Sequence, residues 1–146
     1  MTASDDLLRL ENQLCFALVT AARNVVAIYR PILEPLGLTH PQYLVMLALW
    51  ERSPRALNDL AADLALEPAT ASPLVKRLEK EGLVTRQRSA GDERRLDITL
   101  TDSGRALRER ALDVPQQVMS AVGMNVDEVA TLRDGVARFA GRTEGV

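Results

Sequence analysis

The chain has 146 residues, 47% of them apolar and 26% charged, with a formal net charge of −2. That length and balance fit one globular domain with a core of its own. The longest strongly apolar run, residues 44–50, is far short of the roughly 20 residues a membrane span needs, and Asp5 and Asp6 stand where a secretory leader would be basic. A cytoplasmic protein that binds no membrane is therefore expected, its lone cysteine kept reduced.

Residues 6–30 read as one long helix. Leu7, Leu10, Leu14 and Leu18 form one apolar stripe, and Leu8, Cys15, Val19, Ala22, Val26 and Tyr29 a second. Two stripes imply two contacts, one with the chain's own core and one with a partner chain. Pro31, Pro35 and Gly37 end the helix. Thr39 caps the next, which carries Pro41 in its first turn and runs to about Arg52, burying Tyr43, Leu44, Leu47, Ala48 and Trp50.

Two short helices follow. The first, over 57–64, puts Leu57, Leu60, Ala61 and Leu64 on one face. The second opens at Pro68, turns Leu74, Val75 and Leu78 inward and stops at Gly82. Pro73 conflicts with that start, so either the first turn is irregular or Ser72 caps a later one. Residues 83–88 and 96–100 then read as strands around a turn-rich tip, with Leu96, Ile98 and Leu100 alternating with Arg95, Asp97 and Thr99. A helix-turn-helix followed by a hairpin is a winged helix. Thr101 caps a further helix with Leu107, Ala111, Val114, Val118 and Val122 at coiled-coil-like spacing and a bend at Pro115, and a last helix spans about 126–139. The fold expected is mainly α with a small β-hairpin wing, its end helices free to pair two copies.

Arginine outnumbers lysine 16 to 2, and the charge is uneven. Between positions 76 and 95, seven basic side chains (Lys76, Arg77, Lys80, Arg86, Arg88, Arg94, Arg95) face four acidic ones, a net of +3 that leaves −5 elsewhere. A basic patch on an acidic body suits DNA, although a solvated mixed-charge face or a protein-binding module has the same pattern. The second short helix presents Ala69, Thr70, Ser72, Pro73, Lys76 and Arg77 outward. Small hydroxyl residues near its start allow close approach to bases and phosphates, and the two long cations reach phosphate or guanine. On the wing, Arg86, Arg88, Asp92, Arg94 and Arg95 are the candidate contacts. Arg94 suits a narrow minor groove, with Asp92 near enough to hold it extended. Double-stranded DNA with a pseudo-palindromic operator is the partner expected of a two-fold dimer.

The stretch 65–83, followed by Gly91, Asp92, Glu93, Arg94 and Arg95, resembles the MarR family of dimeric winged-helix regulators, with Asp92 and Arg94 matching the family's wing tip. The resemblance covers nearly the whole chain as one domain over 1–146. The winged helix takes about 55–100, and helices 6–30 and 102–140 are the dimerisation elements. More specifically, residues 10–16 (Leu-Glu-Asn-Gln-Leu-Cys-Phe), with 29–31 and 41–44, resemble the one-cysteine, organic-hydroperoxide-sensing OhrR-type repressors. The resemblance implies that Cys15 is the redox sensor and that reduced protein holds the operator until an organic hydroperoxide oxidises it. It also implies tyrosine hydroxyls on the sulfur across the dimer. Tyr29 matches one of these, His40 stands where a second is usual, and Val19 where a third aromatic is.

Cys15 and Tyr29 lie 14 residues apart, about 21 Å along a helix, so only an antiparallel second copy brings them together. A sensor cysteine reacts as thiolate, so its surroundings must favour the charged form, here through Tyr29 and His40. With no second cysteine, the sulfenic acid must go on to a low-molecular-weight thiol, a cyclic sulfenamide or overoxidation. Leu14, Phe16, Leu18 and Val19 favour organic hydroperoxides over hydrogen peroxide. No cofactor, metal site or enzyme is expected, since one histidine and one cysteine cannot build a typical zinc site. The alternatives are a regulator released by a small phenolic or other ligand, with Cys15 structural, or a thiol peroxidase.

Overall fold

The computed structural model describes residues 2–139, so residues 1 and 140–146 of the expected domain lie outside the description. Helix α1 is Ala3–Leu7 and α2 is Leu14–Leu33, with a 3-10 turn at Leu10–Asn12 between them. The unbroken helix expected over 6–30 is thus interrupted. The reason is local competition for carbonyls: Asn12 Nδ2 donates to Asp6 O at 2.6 Å, and Gln13 Nε2 donates to Leu7 O and Arg9 O, each at 2.8 Å. At the other end, Pro31 does not stop α2, which runs on to Leu33. Pro31 and Ala27 are both exposed, so water can solvate the carbonyl left without its donor.

Helix α3, His40–Glu51, opens with a capping box. Gln42 N–H donates to Thr39 Oγ1 at 3.3 Å, and Thr39 N–H to Gln42 Oε1 at 3.0 Å. The single buried face expected of α3 is not what forms. Gln42, Tyr43, Val45, Met46, Ala48 and Leu49 are buried, while Leu47 is exposed and Leu44 and Trp50 are only partly covered. The cause is position: α2, the winged helix and the following helix surround α3 on several sides.

Strand β1 (Arg55–Ala56) leads into α4 (Leu57–Asp63) and α5 (Pro68–Lys80). The hairpin is β2 (Val84–Ser89) and β3 (Asp92–Leu100), and β1 pairs antiparallel with β3 to give the order β1-β3-β2. Neither β1 nor the early start of β3 was expected. Asp92, Glu93 and Arg94 belong to the strand, and the tip proper is Ala90 and Gly91. The molecule is mainly helical with a small antiparallel wing, a winged helix-turn-helix.

Helices α6 (Asp102–Ala111), α7 (Val114–Val122) and α8 (Val126–Ala137) complete the chain. Pro115 does not bend one helix but opens a new one, where its missing N–H has no cost. Leu33, Val45, Met46, Leu49, Leu60, Val75, Leu78, Val84, Ile98 and Val114 form the centre of the core. The ends are different: α2 buries only Leu33 and α8 buries nothing. By length and composition, residues Leu14–Leu36 could cross a membrane, although Arg23 and Arg30 divide them into shorter apolar runs. Arg23 near the middle of α2 would be costly there, and the helix packs against α7.

Candidate sensor site and nucleic-acid interface

Cys15 is free and exposed. The break at Gln13 makes it the second residue of α2, and no side chain caps that end. Gln13, the one residue positioned to do so, spends its amide on the carbonyls behind it. The first N–H groups of α2 therefore lack intrahelical partners and carry the positive end of the helix dipole. Leu14, Phe16 and Val19 beside it are exposed. Apolar periodicity over 6–30 does not show this arrangement, and the pair Asn12-Gln13 is its signal in the sequence.

Tyr29 and His40 lie side by side within one chain. Their ring centroids are 4.8 Å apart at 60°, and Tyr43 joins Tyr29 at 5.9 Å and 43°. Burial pushes the His40 pKa down and the Tyr29 pKa up, and Tyr43 is raised by burial and then by the neighbouring Tyr29. All three are neutral near pH 7, with phenol O–H groups and an imidazole N–H to donate. Tyr43, read from the sequence as core alone, is also part of this cluster. A cleft of about 500 Å³ opens beside it, lined by Val26, Arg30, Leu38 and His40 among others. Within one chain this cluster and Cys15 lie toward opposite ends of α2, about 21 Å apart along its axis.

On α5, Ala69, Thr70, Pro73, Lys76 and Arg77 are exposed and Ser72 is half-buried. The helix starts at Pro68 behind Glu67 and continues through Pro73, so Ser72 caps nothing. The bond Pro73 cannot make would go to Ala69, which is exposed to water. On the wing, Arg88 Nη1 donates to Glu93 O at 2.9 Å and Arg95 Nε to Asp97 Oδ1 at 2.9 Å. Asp92 does not hold the Arg94 side chain. Its Oδ1 accepts from the Arg94 backbone N–H at 2.9 Å, and among the described residues the Arg94 guanidinium has no ion pair. Arg88, Arg94 and Arg95 border a cleft of about 440 Å³ against Asn58 and Asp59 at the start of α4. Arg86 is turned the other way, toward α5, with Nε 3.0 Å from Glu79 Oε1.

Residues 27–110 match the family described as transcriptional regulator SarA/Rot. The organic hydroperoxide resistance transcriptional regulator of Bacillus subtilis is 37% identical over 131 residues, covering 90% of this chain and 89% of its own. The chain belongs to the SarA/Rot group of MarR-type winged-helix transcription regulators. The resemblance to the hydroperoxide branch is thereby borne out, and so is the fold. AbfR of Staphylococcus epidermidis is 36% identical, and its overoxidised form bound to DNA superposes with a TM-score of 0.76, covering 92% of this chain and 95% of that one. BpsR of Bordetella bronchiseptica, described with 6-hydroxynicotinic acid as regulator of its DNA binding, is 25% identical with a TM-score of 0.81, covering 91% and 96%. This MarR-type protein is a DNA-binding transcription regulator, and its relatives are regulators and not enzymes.

Proposed function

We propose that this regulator is a homodimeric repressor that senses organic hydroperoxides in the cytoplasm through Cys15. The observation that carries the reading is Cys15 itself, exposed among apolar side chains at the uncapped start of α2. The 37% identity to a hydroperoxide-resistance regulator supports it. In the dimer two α2 helices run antiparallel, and Cys15 meets Tyr29 and His40 of the partner subunit. The exposed apolar residues of α1, α2 and α8 cover one another there.

The helix N-terminus and the donors of the partner subunit hold the thiolate. It attacks one peroxide oxygen, the O–O bond breaks, and Cys15 becomes a sulfenic acid. The alkoxide leaves and takes its proton from the phenol of Tyr29 of the partner subunit, which water then reprotonates. A low-molecular-weight thiol then condenses with the sulfenic acid, giving a mixed disulfide and water. Overoxidised AbfR is described bound to DNA, which supports a bulkier thiol adduct, not added oxygen alone, as the releasing form. The adduct no longer fits the packed interface, and the two recognition helices lose the operator spacing. Ala69, Thr70, Ser72, Pro73, Lys76 and Arg77 read the major groove, and Arg88, Arg94 and Arg95 serve the wing. The test is operator binding by reduced protein before and after an organic hydroperoxide and a cellular thiol. Cys15→Ser stays bound where the parent dissociates, and equal dissociation of the two would refute the proposal.

A second reading has its own support. A pocket of about 270 Å³ lies between α3 and α6–α7, lined by Tyr43, Leu47, Trp50, Arg108, Ala111 and Pro115 among others. The neighbour BpsR responds to a small hydroxylated aromatic acid. If such a ligand is the inducer, it releases DNA from Cys15→Ser as readily as from the parent.

A further inference from the structure

We propose that Glu79 is a positioning residue for DNA recognition, which fixes the wing against the recognition helix by gripping Arg86 at two points. The proposal rests on reading α5 and the wing as the DNA-contacting elements, and not on the nature of the inducer.

Helix α5 ends at Lys80 and β2 begins at Val84, with Glu81, Gly82 and Leu83 between. Gly82, at φ +80°, turns the chain, and Leu83 N–H on Leu78 O at 3.0 Å with Thr101 Oγ1 on Gly82 O at 2.6 Å fix the base of the wing, so what remains to be set is the course of β2 beyond that base. Val84 is buried and anchors the base of the hairpin. Two residues out, Arg86 sits opposite Ile98. Because β2 is an edge strand, its outward N–H groups have no ladder partner. The Arg86 N–H instead donates to Glu79 Oε2 at 3.1 Å, and Arg86 Nε donates to Glu79 Oε1 at 3.0 Å.

One carboxylate thus holds both the backbone and the side chain of a single strand residue. The backbone bond fixes where the strand lies, and the charged bond adds direction and strength. The tip at Ala90 lies four residues beyond Arg86, about 13 Å at the rise of an extended strand. A small tilt at the clamp becomes a displacement of ångströms at Arg94. Arg86, whose charge Glu79 neutralises, therefore serves DNA recognition through geometry and not by touching phosphate.

The experiment is a double-mutant cycle on operator affinity with Glu79→Ala, Arg86→Ala and the pair, each checked for folding by thermal unfolding. Each single change is expected to weaken operator binding about tenfold, and the pair no more than either alone, because the two residues act as one unit. Binding to non-specific DNA is expected to stay level, and backbone protection under the wing to fade while protection under α5 persists. Glu79→Gln keeps an oxygen for the backbone N–H and is expected to fall between, and it decides the matter should Glu79→Ala not fold. If Arg86 instead contacts phosphate, Arg86→Ala weakens operator and non-specific DNA alike and lowers the salt slope by about one. In that case Glu79→Ala leaves binding unchanged or raises it, and the proposal is overturned. Lys76→Ala and Arg94→Ala separate the two layers. If neither weakens the operator complex, the DNA face itself is misassigned. If both do while the cycle is additive, the clamp alone fails.

Discussion

The chemistry of single side chains was partly legible. One cysteine, a tyrosine 14 residues on and a histidine were readable as candidates, and the Tyr29 and His40 rings do meet, tilted at 60°. What the residues did not announce was Cys15 at a helix start, because that depends on two amides choosing carbonyls behind them. Two predictions belong at this scale. Tyr29→Phe removes one hydroxyl without altering the DNA face. It should slow oxidation by hydroperoxide about tenfold, the worth of one hydrogen bond to a charged group, with operator affinity unchanged. His40 titrates with a known sign. Burial depresses its pKa, so the fold binds fewer protons than the unfolded chain, and the stability tied to neutral His40 is present above the ordinary value of 6.5 and lost as pH falls below it. Thermal midpoints measured from pH 7.5 down to pH 5 should fall more steeply for the parent than for His40→Gln, and parallel curves would contradict this.

Secondary structure followed sequence where caps and breakers were strong. Thr39, Pro68, Gly82 and Thr101 mark real ends. The misreadings share one cause, since tertiary contacts and side-chain hydrogen bonds overrule local pattern. Strand β1 is two residues long and exists only because β3 lies beside it, and α3 is covered on several sides, so no amphipathic stripe marks it. Gly104 shows how tightly these elements meet. Thr101 N–H donates to the Leu83 carbonyl at 3.1 Å, Trp50 Nε1 donates to the Gly104 carbonyl at 2.9 Å, and a Cβ on Gly104 would stand 2.2 Å from the Leu83 oxygen. That oxygen is backbone and cannot swing aside. Gly104→Ala should cost about 3 kcal/mol, lowering the thermal midpoint by several degrees, and an unchanged midpoint would mean that α6 can slide away from the wing. The joint ties the start of α6 to the base of the hairpin and to α3.

At the scale of the whole molecule, the two apolar stripes over 6–30 predicted one contact with the core and one with a partner, and the folded chain leaves most of both exposed, with Leu18 and Tyr29 half-buried. Leu7, Leu8, Leu10 and Leu14 are each at least 60% accessible, and Leu132 is 58%. The proposed homodimer should therefore break without unfolding the protomer when α8 is charged. Leu132→Asp with Val136→Asp should sediment as a folded monomer and lose most operator affinity, and a persistent dimer would move the interface elsewhere. The central claim is that oxidation of one sulfur in this dimer empties the operator. It is tested most directly by titrating the operator-bound protein with cumene hydroperoxide in the presence of a cellular thiol, following DNA release by anisotropy and the protein by intact mass. The account predicts that release and the mass of the Cys15 adduct rise together. Release from protein whose mass is unchanged, or full modification of Cys15 with the DNA still bound, would contradict it.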